Sequence, residues 1–277
     1  NLTLIIKYLN LFIATLPVIR MMISRNIKLV FATGGYISVP SIIAAKLLNI
    51  PIIIHESNLV PGLATKYFGR YCNYVLVGFI ETASYLKGCN TVFTGTPLRK
   101  QFYIKNEIPH WVPIGNQPLI IVLGGSQGSH AINDVIYNLL DFLNDNNFRI
   151  VHILGDRLDA KFNNKKNKNY IPICFTNEIA ALMQNCDLVI SRAGSGAINE
   201  IIKTKSPSIL IPYPNAKNNH QAKNALILSS RGCAIIIEQN KNLEINLKNN
   251  LQRIFETETS NSKNQYKILN IMKNNIS

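Results

Sequence analysis

Residues 187–200 read Asp-Leu-Val-Ile-Ser-Arg-Ala-Gly-Ser-Gly-Ala-Ile-Asn-Glu, and this stretch decides the fold. The apolar run Leu188–Ile190 ends at small residues, and helical spacing resumes after them. That pattern is typical of a buried parallel strand that leads into a helix. The turn therefore lies at the carboxyl end of the strand, where open α/β sheets bind their ligands. The sequence predicts an α/β protein in which strands and helices alternate.

The small residues of this turn predict a site for an anion. A helix that begins near Ser195 directs the N–H groups of its first turn, which includes Gly196 and Ala197, toward a ligand. Glu200 lies just over one turn into that helix, where a carboxylate can accept hydrogen bonds from two sugar hydroxyls. Together these features predict a nucleotide diphosphate site. The alternative is an ordinary strand–turn–helix in which Ser195 is only the N-cap and Glu200 is exposed.

Composition favours a globular protein with anionic partners. The 277 residues are 47% apolar, which suits one large or two ordinary α/β domains. The chain has 29 Lys and Arg against 15 Asp and Glu, and its net charge of +14 favours anionic ligands or surfaces. No basic run is interleaved with aromatic residues, which argues against nucleic acid. The five cysteines have apolar neighbours and no metal-ligand spacing, which predicts reduced thiols in a cytosolic protein and no metal site.

The N-terminal stretch Leu2–Ile23 is strongly apolar, but charged residues and a proline interrupt it, so a membrane-spanning helix is not expected. Ile5, Leu9 and Phe12 share one face of a helix. This face predicts either an interfacial patch that docks on anionic lipid or a helix that faces the core.

Polar residues follow the second strand of the predicted N-terminal sheet, whose strands are expected at 28–32, 50–54, 74–77 and 90–94. His55 or Glu56 could act as a general base or orient one, and Asn58 could donate to a sugar hydroxyl. A histidine satisfied by nearby backbone is the alternative. Arg99, after the fourth strand, could reach a phosphate or a uracil carbonyl, or form a surface salt bridge.

A Pro-rich passage at 108–118 predicts a linker between an N-terminal domain, 1–107, and a C-terminal domain, 119–277. The C-terminal domain repeats the pattern, with strands expected at 119–123, 150–154, 171–175, 188–190 and 208–211. The first of them leads into a Gly-rich loop, Gly124–Ser129, that suits a phosphate. A polar loop later presents His220 and Gln221, which could read sugar hydroxyls or could simply be solvated.

Six short motifs occur in one order along almost the whole chain: Gly34-Gly35-Tyr36, His55-Glu56-Ser57-Asn58, Gly95-Thr96-Pro97-Leu98-Arg99, Gly124–Ser129, Ser191–Glu200, and His220-Gln221 with Asn224-Ala225. By these motifs the chain resembles the MurG family of bacterial N-acetylglucosaminyltransferases. Members of that family transfer N-acetylglucosamine from UDP-N-acetylglucosamine to lipid I, undecaprenyl-pyrophosphoryl-N-acetylmuramoyl-pentapeptide, and so form lipid II for peptidoglycan. The resemblance implies two Rossmann-like domains facing across a cleft, the glycosyltransferase B fold, and inverting transfer without a cofactor or a structural need for a metal.

The resemblance also implies roles for individual residues. The positions that match UDP-sugar contacts are Arg99, Ser126, Thr176, Ser195, Gly196, Ala197 and Glu200. Asn58 and Gln221 resemble the residues around N-acetylglucosamine. The positions that match the acceptor and reaction cleft are Tyr36, His55, Glu56 and Asn133. Ile5, Leu9 and Phe12 match the family's membrane patch, which now favours docking on anionic lipid, as a peripheral protein on the cytoplasmic face of the cell membrane.

The chain departs from the family pattern at both ends. The family's first strand and its Gly-rich loop with a histidine would precede Asn1, and the C-terminus stops before the family's final helix. We therefore expect an incomplete first domain, retained donor binding and impaired transfer. The alternatives are a related glycosyltransferase with another lipid acceptor, a UDP-sugar epimerase of similar architecture, and a non-catalytic nucleotide-sugar-binding subunit whose partner supplies the absent loop.

Overall fold

The structure, a computed structural model, describes residues 2–125, 128–155, 160–256 and 267–275. It describes the backbone but not the side chains of residues 2–12, 160 and 267. The chain divides into two compact units, Asn1–Pro97 and Leu98–Ser277. Both are α/β units with parallel sheets, as the strand–helix alternation predicts.

The described part of the first unit carries a four-stranded parallel sheet in the order β1-β2-β3-β4. Its strands are β1 (Val30–Ala32), β2 (Ile52–Glu56), β3 (Tyr74–Val77) and β4 (Thr91–Phe93). Its helices are α1 (Leu2–Ser24), α2 (Val39–Leu47) and α3 (Leu63–Phe68), with 3₁₀ turns at Tyr36–Ser38, Gly69–Tyr71 and Ile80–Tyr85. All four strands were predicted, and β3 has the predicted bounds.

The core of the first unit lies between its sheet and α2. Ile54 and Val75 from the sheet are fully buried together with Ala44 and Ala45 of α2, and α1 packs on α2. Alanines suit this position because they let the helix approach the strands closely. None of the helices in the described ranges is long and apolar enough to cross a membrane. The side chains of Ile5, Leu9 and Phe12 lie outside the described residues, so their predicted common face stays a prediction.

The described part of the second unit carries a six-stranded parallel sheet in the order β10-β9-β8-β5-β6-β7. The strands are β5 (Leu119–Leu123), β6 (Arg149–Ile153), β7 (Tyr170–Ile173), β8 (Leu188–Ser191), β9 (Ser208–Leu210) and β10 (Ala234–Ile236). The helices are α4 (His130–Asn138), α5 (Leu140–Asp145), α6 (Ala160–Asn163), α7 (Ile179–Asn185), α8 (Ser195–Thr204), α9 (His220–Ser229), α10 (Leu243–Phe255) and α11 (Lys267–Asn275).

The strand order of the second unit places a topological switch point between β5 and β8. The chain continues from β5 to β6 and β7 on one side, then returns to β8 and proceeds to β9 and β10 on the other. All five residues of β5 are buried, as expected of a parallel strand that is covered on both faces. Doubly wound sheets bind ligands in the crevice at the carboxyl ends of the strands beside such a point.

The segment after Pro97 packs with the second unit. A 3₁₀ turn at Lys100–Tyr103 contacts α7 and α8. The Asn106 backbone N–H donates to Gln184 Oε1 in α7 at 2.9 Å. The predicted domain boundary at residue 107 therefore falls inside the second unit, because these contacts hold the residues that follow Pro97.

Candidate functional site

A cavity of about 1000 Å³ opens at the carboxyl edge of the six-stranded sheet, within the second unit. It lies at the switch point, between the turns that follow β5 and β8. Six of the residues for which the sequence predicts a binding role line it: Arg99, Thr176, Gly196, Ala197, Glu200 and Gln221. The structure therefore brings together the side chains and backbone that the sequence distributes over more than a hundred positions.

The turn after β8 presents the N-terminus of α8 to this cavity. The helix begins at Ser195, as predicted, and Gly194 is its N-cap residue. A glycine has no side chain that could accept from the N–H groups of the first turn, so these donors are available to a ligand. A Cβ at Gly194 or Gly196 would meet no atom within 4 Å, which leaves open space in front of the turn. This arrangement suits an anion, because the helix dipole is positive at its N-terminus.

Glu200 and Arg99 form an ion pair on the wall of the cavity. Arg99 Nη2 lies 3.2 Å from Glu200 Oε1, and the side chains are 46% and 21% exposed. Burial raises the pKa of the Glu200 carboxyl, although the neighbouring Arg99 opposes that shift. Arg99 thus forms a salt bridge, which is one of the two roles predicted for it. It also lines the cavity, so the other predicted role, a contact with a phosphate or a uracil carbonyl, is compatible with its position. Its salt-bridge partner, Glu200, is the carboxylate predicted to bind the ribose.

Arg192, for which no role was predicted from the sequence, also lines the cavity. It follows β8 directly and is partly buried. Its Nη2 donates to Ser129 Oγ at 2.7 Å, and its Nη1 donates to the carbonyls of Ile211 at 3.0 Å and Pro212 at 3.4 Å. The guanidinium therefore joins the turns that follow β5, β8 and β9. The available signal was an arginine between a buried strand and a Gly-rich turn.

The loop after β5 depends on glycine at Gly128. This residue has φ +75°, and a Cβ there would collide with the Leu154 carbonyl oxygen at the end of β6. Ser129 follows as the N-cap of α4 and accepts from the Ile132 N–H. The predicted phosphate contact Ser126 lies outside the described residues. The flanking residues Gly125 and Gly128 line the cavity.

Asn133, predicted by resemblance to line the acceptor and reaction cleft, is buried within α4 and is not among the residues that line the cavity. Its Nδ2 donates to the Leu154 carbonyl at 3.1 Å, and its Oδ1 is 3.1 Å from His152 Nε2. The other ring nitrogen of His152 pairs with the Tyr170 hydroxyl at 3.0 Å. Burial lowers the pKa of His152 to about 3, so the ring is neutral and donates from Nε2. Asn133 thus links α4 to the end of β6, which the loop after β5 approaches closely at Gly128.

Four of the residues that line the cavity lie in or next to loops: Phe175, Thr176, Tyr213 and Gln221. Thr176 is buried and its hydroxyl accepts from the Glu178 N–H, while Phe175 beside it is 72% exposed. Gln221 Oε1 accepts from the Tyr213 N–H at 2.9 Å. Neither Phe175 nor Tyr213 was predicted as a site residue. Phe175 was expected inside the strand at 171–175, but that strand ends at Ile173, and Tyr213 follows a strand without any periodic signal.

His220 and Gln221 were predicted to lie in a loop, and that prediction is wrong. Both residues belong to the first turn of α9, because Asn218 and Asn219 adopt left-handed conformations that close the loop before them. His220 Nδ1 pairs with the Lys217 carbonyl at 2.8 Å, and His220 does not line the cavity.

In the first unit, Glu56 lies at the end of β2 and is only 5% exposed. Its carboxylate accepts four hydrogen bonds: from Asn58 N and Nδ2, each at 3.1 Å, from Gly62 N at 2.9 Å and from Thr65 Oγ1 at 2.8 Å. These bonds fix the loop between β2 and α3. Glu56 is therefore an anchor of its own loop in this structure.

His55 is equally occupied. Its Nε2 pairs with the Gly95 carbonyl at 2.9 Å and its Nδ1 with Ser57 Oγ at 3.2 Å, which corresponds to the alternative that the sequence left open for this histidine. Asn58 is partly buried, and its carbonyl accepts from Thr82 Oγ1. Tyr36 is 68% exposed, so of the three predicted catalytic residues only Tyr36 presents its side chain to solvent.

One of the five cysteines, Cys174, lines the cavity. All five cysteines have free thiols, and Cys72, Cys186 and Cys233 are buried. Across the described residues, no group of three or more His, Cys, Asp or Glu side chains is placed to hold a metal ion.

Two successive α/β units with parallel sheets, the second with a crevice that offers a helix N-terminus and the Glu200 carboxylate, are the architecture of two-domain glycosyltransferases. The chain belongs to glycosyltransferase family 28. The model of that family's C-terminal domain matches residues 119–276, and the model of its N-terminal domain matches residues 3–77. The chain is thus a hexosyltransferase of the N-acetylglucosaminyltransferase kind.

Curated relatives agree with this family. A protein of Prochlorococcus marinus (strain MIT 9312), named UDP-N-acetylglucosamine--N-acetylmuramyl-(pentapeptide) pyrophosphoryl-undecaprenol N-acetylglucosamine transferase, is 57% identical over 276 residues. The match covers 100% of this chain and 76% of that protein. A protein of the same name from strain MIT 9211 is 42% identical over 97% of this chain and 75% of its own length.

Solved structures share the fold. The crystal structure of Acinetobacter baumannii MurG matches 97% of this chain and 75% of that chain, with a TM-score of 0.76 and 24% identity. A Staphylococcus aureus MnaA–UDP co-structure matches 95% and 74%, with a TM-score of 0.65 and 10% identity. At these identities the likeness establishes the fold alone, which is the glycosyltransferase B fold of the first of these structures.

Proposed function

We propose that this chain transfers N-acetylglucosamine from UDP-N-acetylglucosamine to lipid I and so forms lipid II in peptidoglycan synthesis. The observation that carries the proposal is the crevice of the second unit, where the N-terminus of α8 and the Glu200 carboxylate lie one helical turn apart on one wall. Such a pair suits a diphosphate and a ribose. The identity of the sugar and of the acceptor is taken from the activity named for the curated relative that is 57% identical to this chain.

The nucleotide is assigned to the second unit. Its diphosphate would accept hydrogen bonds from the first turn of α8, and its ribose hydroxyls would donate to Glu200. The uracil is assigned to the neighbourhood of Thr176, by the family resemblance, and Gln221 to the sugar. For the ribose to bind, its hydroxyls have to replace Arg99, at least in part, as hydrogen-bond donors to the Glu200 carboxylate. Arg99 is then available for a phosphate, whose charge replaces that of the carboxylate.

The reaction needs a leaving diphosphate and a deprotonated acceptor hydroxyl. The hydroxyl oxygen of the acceptor forms a bond to the anomeric carbon while the bond between that carbon and the diphosphate oxygen breaks. UDP leaves with the electron pair, and the hydroxyl proton passes to a base. The positive end of α8 stabilises the charge that develops on the leaving group. No metal is required for this step in the proposal, since the helix N-terminus and arginine side chains supply the positive charge.

The first unit is proposed to take the lipid acceptor. The Glu56 carboxylate is occupied by hydrogen bonds within its own loop, and the His55 ring is occupied by Ser57 and by the Gly95 carbonyl after β4. We therefore assign both residues the role of positioning the loop that contains Asn58, rather than of accepting a proton. Tyr36, which is exposed, remains the catalytic residue proposed on the acceptor side.

We further propose that the chain is peripheral to the cytoplasmic face of the membrane and does not bind nucleic acid. The support is the helical face with Ile5, Leu9 and Phe12 together with the net charge of +14. Sedimentation with vesicles of anionic or zwitterionic lipid tests the docking. We expect binding to anionic vesicles only, and a loss of binding when the three residues are changed to serine. Equal sedimentation of parent and variant would contradict the assignment.

Calorimetric titration tests the donor site. UDP-N-acetylglucosamine should bind the chain, UDP-N-acetylgalactosamine should bind more weakly, and Glu200→Ala should weaken the donor by about tenfold or more because it removes charged hydrogen bonds to the ribose. An absence of binding by the folded parent would contradict the proposal. Formation of lipid II from lipid I, followed with radiolabelled donor, then tests transfer itself.

A further inference from the structure

Arg192 is an uncompensated cation in the cavity wall. Arg192 forms no ion pair within the part of the chain that the structure describes, and its hydrogen-bond partners are a hydroxyl and two carbonyls. Arginine remains charged at neutral pH, and a partly buried charge without a counter-ion is costly unless a ligand supplies one. By contrast, the second arginine in the cavity wall, Arg99, is paired with Glu200.

The positive charge of Arg192 lies where a second positive source adds to it. Only Ala193 separates Arg192 from Gly194, the N-cap of α8, so the guanidinium and the helix N-terminus border the same cavity. Burial lowers the pKa of the Arg192 guanidinium, and the centre of the Tyr213 ring lies 5.5 Å from it. The two sources together favour an anion with more than one negative charge.

The guanidinium is also held in place. Ser129 Oγ and the carbonyls of Ile211 and Pro212 bind its two terminal nitrogens, which fixes a side chain that would otherwise have several rotamers. A preorganised cation loses little entropy when the ligand arrives, and it does not need to reorganise when charge develops on a leaving group.

We propose that Arg192 is the cation that balances the diphosphate of the bound nucleotide sugar, held in position by the turns after β5 and β9. The inference rests on the proposed function, because it takes a nucleoside diphosphate as the ligand of this cavity. It assigns the residue a charge-dependent binding role, in contrast to a purely structural link between loops.

The experiment compares a charged with an uncharged ligand. UDP is titrated by calorimetry and uridine by ligand-observed NMR into the parent chain, Arg192→Met and Arg192→Lys. We expect Arg192→Met to weaken UDP by about 10- to 100-fold, as the loss of a charged hydrogen-bond partner implies, and uridine by less than about threefold. Arg192→Lys keeps the charge without the fork, so its UDP affinity should be intermediate.

Arg149 supplies a matched control. It lies in the same unit, is partly buried, and donates to two backbone carbonyls, those of Gln117 at 2.7 Å and Pro113 at 2.9 Å, but it does not line the cavity. Arg149→Met should leave both ligands unchanged. Thermal unfolding is measured for every variant. If Arg192→Met does not fold, Arg192→Lys decides, because it should retain a preference for UDP over uridine.

The outcomes distinguish a failure of the role proposed for Arg192 from a failure of the proposed function. An equal loss of UDP and uridine affinity in a folded Arg192 variant would overturn the charge role and leave a structural link. Unchanged UDP affinity would overturn any binding role. If the folded parent binds neither UDP nor UDP-N-acetylglucosamine, it is the proposed function that fails.

Discussion

The carboxyl ends of β2 and β8 both carry polar groups, but these groups differ in whether they have hydrogen-bond partners within the protein. At the end of β2, the Glu56 carboxylate accepts four hydrogen bonds and His55 uses both ring nitrogens, all within the first unit. At the end of β8, the N–H groups of the first turn of α8 have no intrahelical partners, and Arg192 has only neutral ones. The first strand end is internally satisfied, whereas the second keeps donors and charge for a ligand.

This contrast shows that a polar cluster at the end of a parallel strand has two possible physical meanings. Buried polar groups need hydrogen-bond partners, and side chains of suitable reach can provide these partners for one another. A loop held in that way needs no ligand. A turn of small residues cannot satisfy itself by side chains, so its backbone donors remain available. The four predictions below, from the largest expected effect to the smallest, test this difference.

The first prediction tests whether the loop after β5 requires the positive φ and the absent Cβ of Gly128. Gly128→Ala should destabilise the second unit by about 3 kcal/mol or more, because the residue has positive φ and its Cβ would collide with the Leu154 carbonyl. Gly125→Ala is the matched control: Gly125 also has positive φ, but its Cβ would meet nothing within 4 Å, so about 1 kcal/mol is expected. Urea unfolding measures both. Equal costs would contradict the close approach of the two loops.

The second prediction tests whether the loop after β2 is held by the side chain of Glu56. Glu56→Gln should destabilise the first unit by about 2–4 kcal/mol, because an amide replaces one of the two acceptor oxygens and leaves buried donors without partners. Glu81→Gln, at an exposed site of the same unit, should change stability by less than about 0.5 kcal/mol. Residual transfer activity in Glu56→Gln should keep the pH dependence of the parent. A stable variant that loses the acidic limb of the pH–rate profile would instead identify Glu56 as the base.

The third prediction concerns Asn133, which links α4 to the end of β6 beside the loop that follows β5. Asn133→Ala should cost about 1–3 kcal/mol, since it leaves His152 Nε2–H and the Leu154 carbonyl without their partner. Hydrogen exchange at the end of β6 should accelerate, and the affinity for UDP should fall without a change in the pH dependence of binding. Asn138→Ala, at an exposed position of the same helix, is the control and should leave exchange at β6 unchanged.

The fourth prediction is the smallest and concerns pH. Burial raises the pKa of Glu200, so between the unfolded and folded pKa values the folded chain binds a proton that the unfolded chain does not. The penalty is therefore fully present above the folded pKa and disappears as the pH falls below the unfolded value. Glu200→Gln should be slightly more stable than the parent near neutral pH. Arg99 is 46% exposed and loses little when its partner becomes neutral.

Thermal unfolding as a function of pH measures this difference, which should shrink on acidification. Glu238→Gln, at an exposed site of the same unit, should show no such trend. A stability gain for Glu200→Gln that grows as the pH falls would contradict the assigned direction. The variant should still bind UDP more weakly than the parent, which would show that the buried carboxylate lowers stability and strengthens binding.

The sequence predicts the strands better than the placement of side chains. β3 and β5 have the predicted bounds because each is an apolar run with a clear end. β10 was missed because its three residues become a strand through pairing with β9, which is a tertiary contact. Periodicity cannot show on which side of its own helix Asn133 finds a partner, nor that the Arg192 side chain turns toward the cavity. Those positions depend on residues far away in the sequence, such as Leu154 for Asn133 and Ile211 for Arg192.

The switch point in the second sheet also sets an order of events during synthesis. β5 is made first, and β6 can pair with it early, but its other neighbour is β8, in the register Ile120 to Leu188. Closing so long a loop is entropically costly, and contacts of large sequence separation form slowly. One edge of β5 therefore stays unpaired on a nascent chain until residue 191 has emerged from the ribosome. The floor of the crevice is completed late, and a chain arrested before that residue would expose an apolar strand edge that favours aggregation.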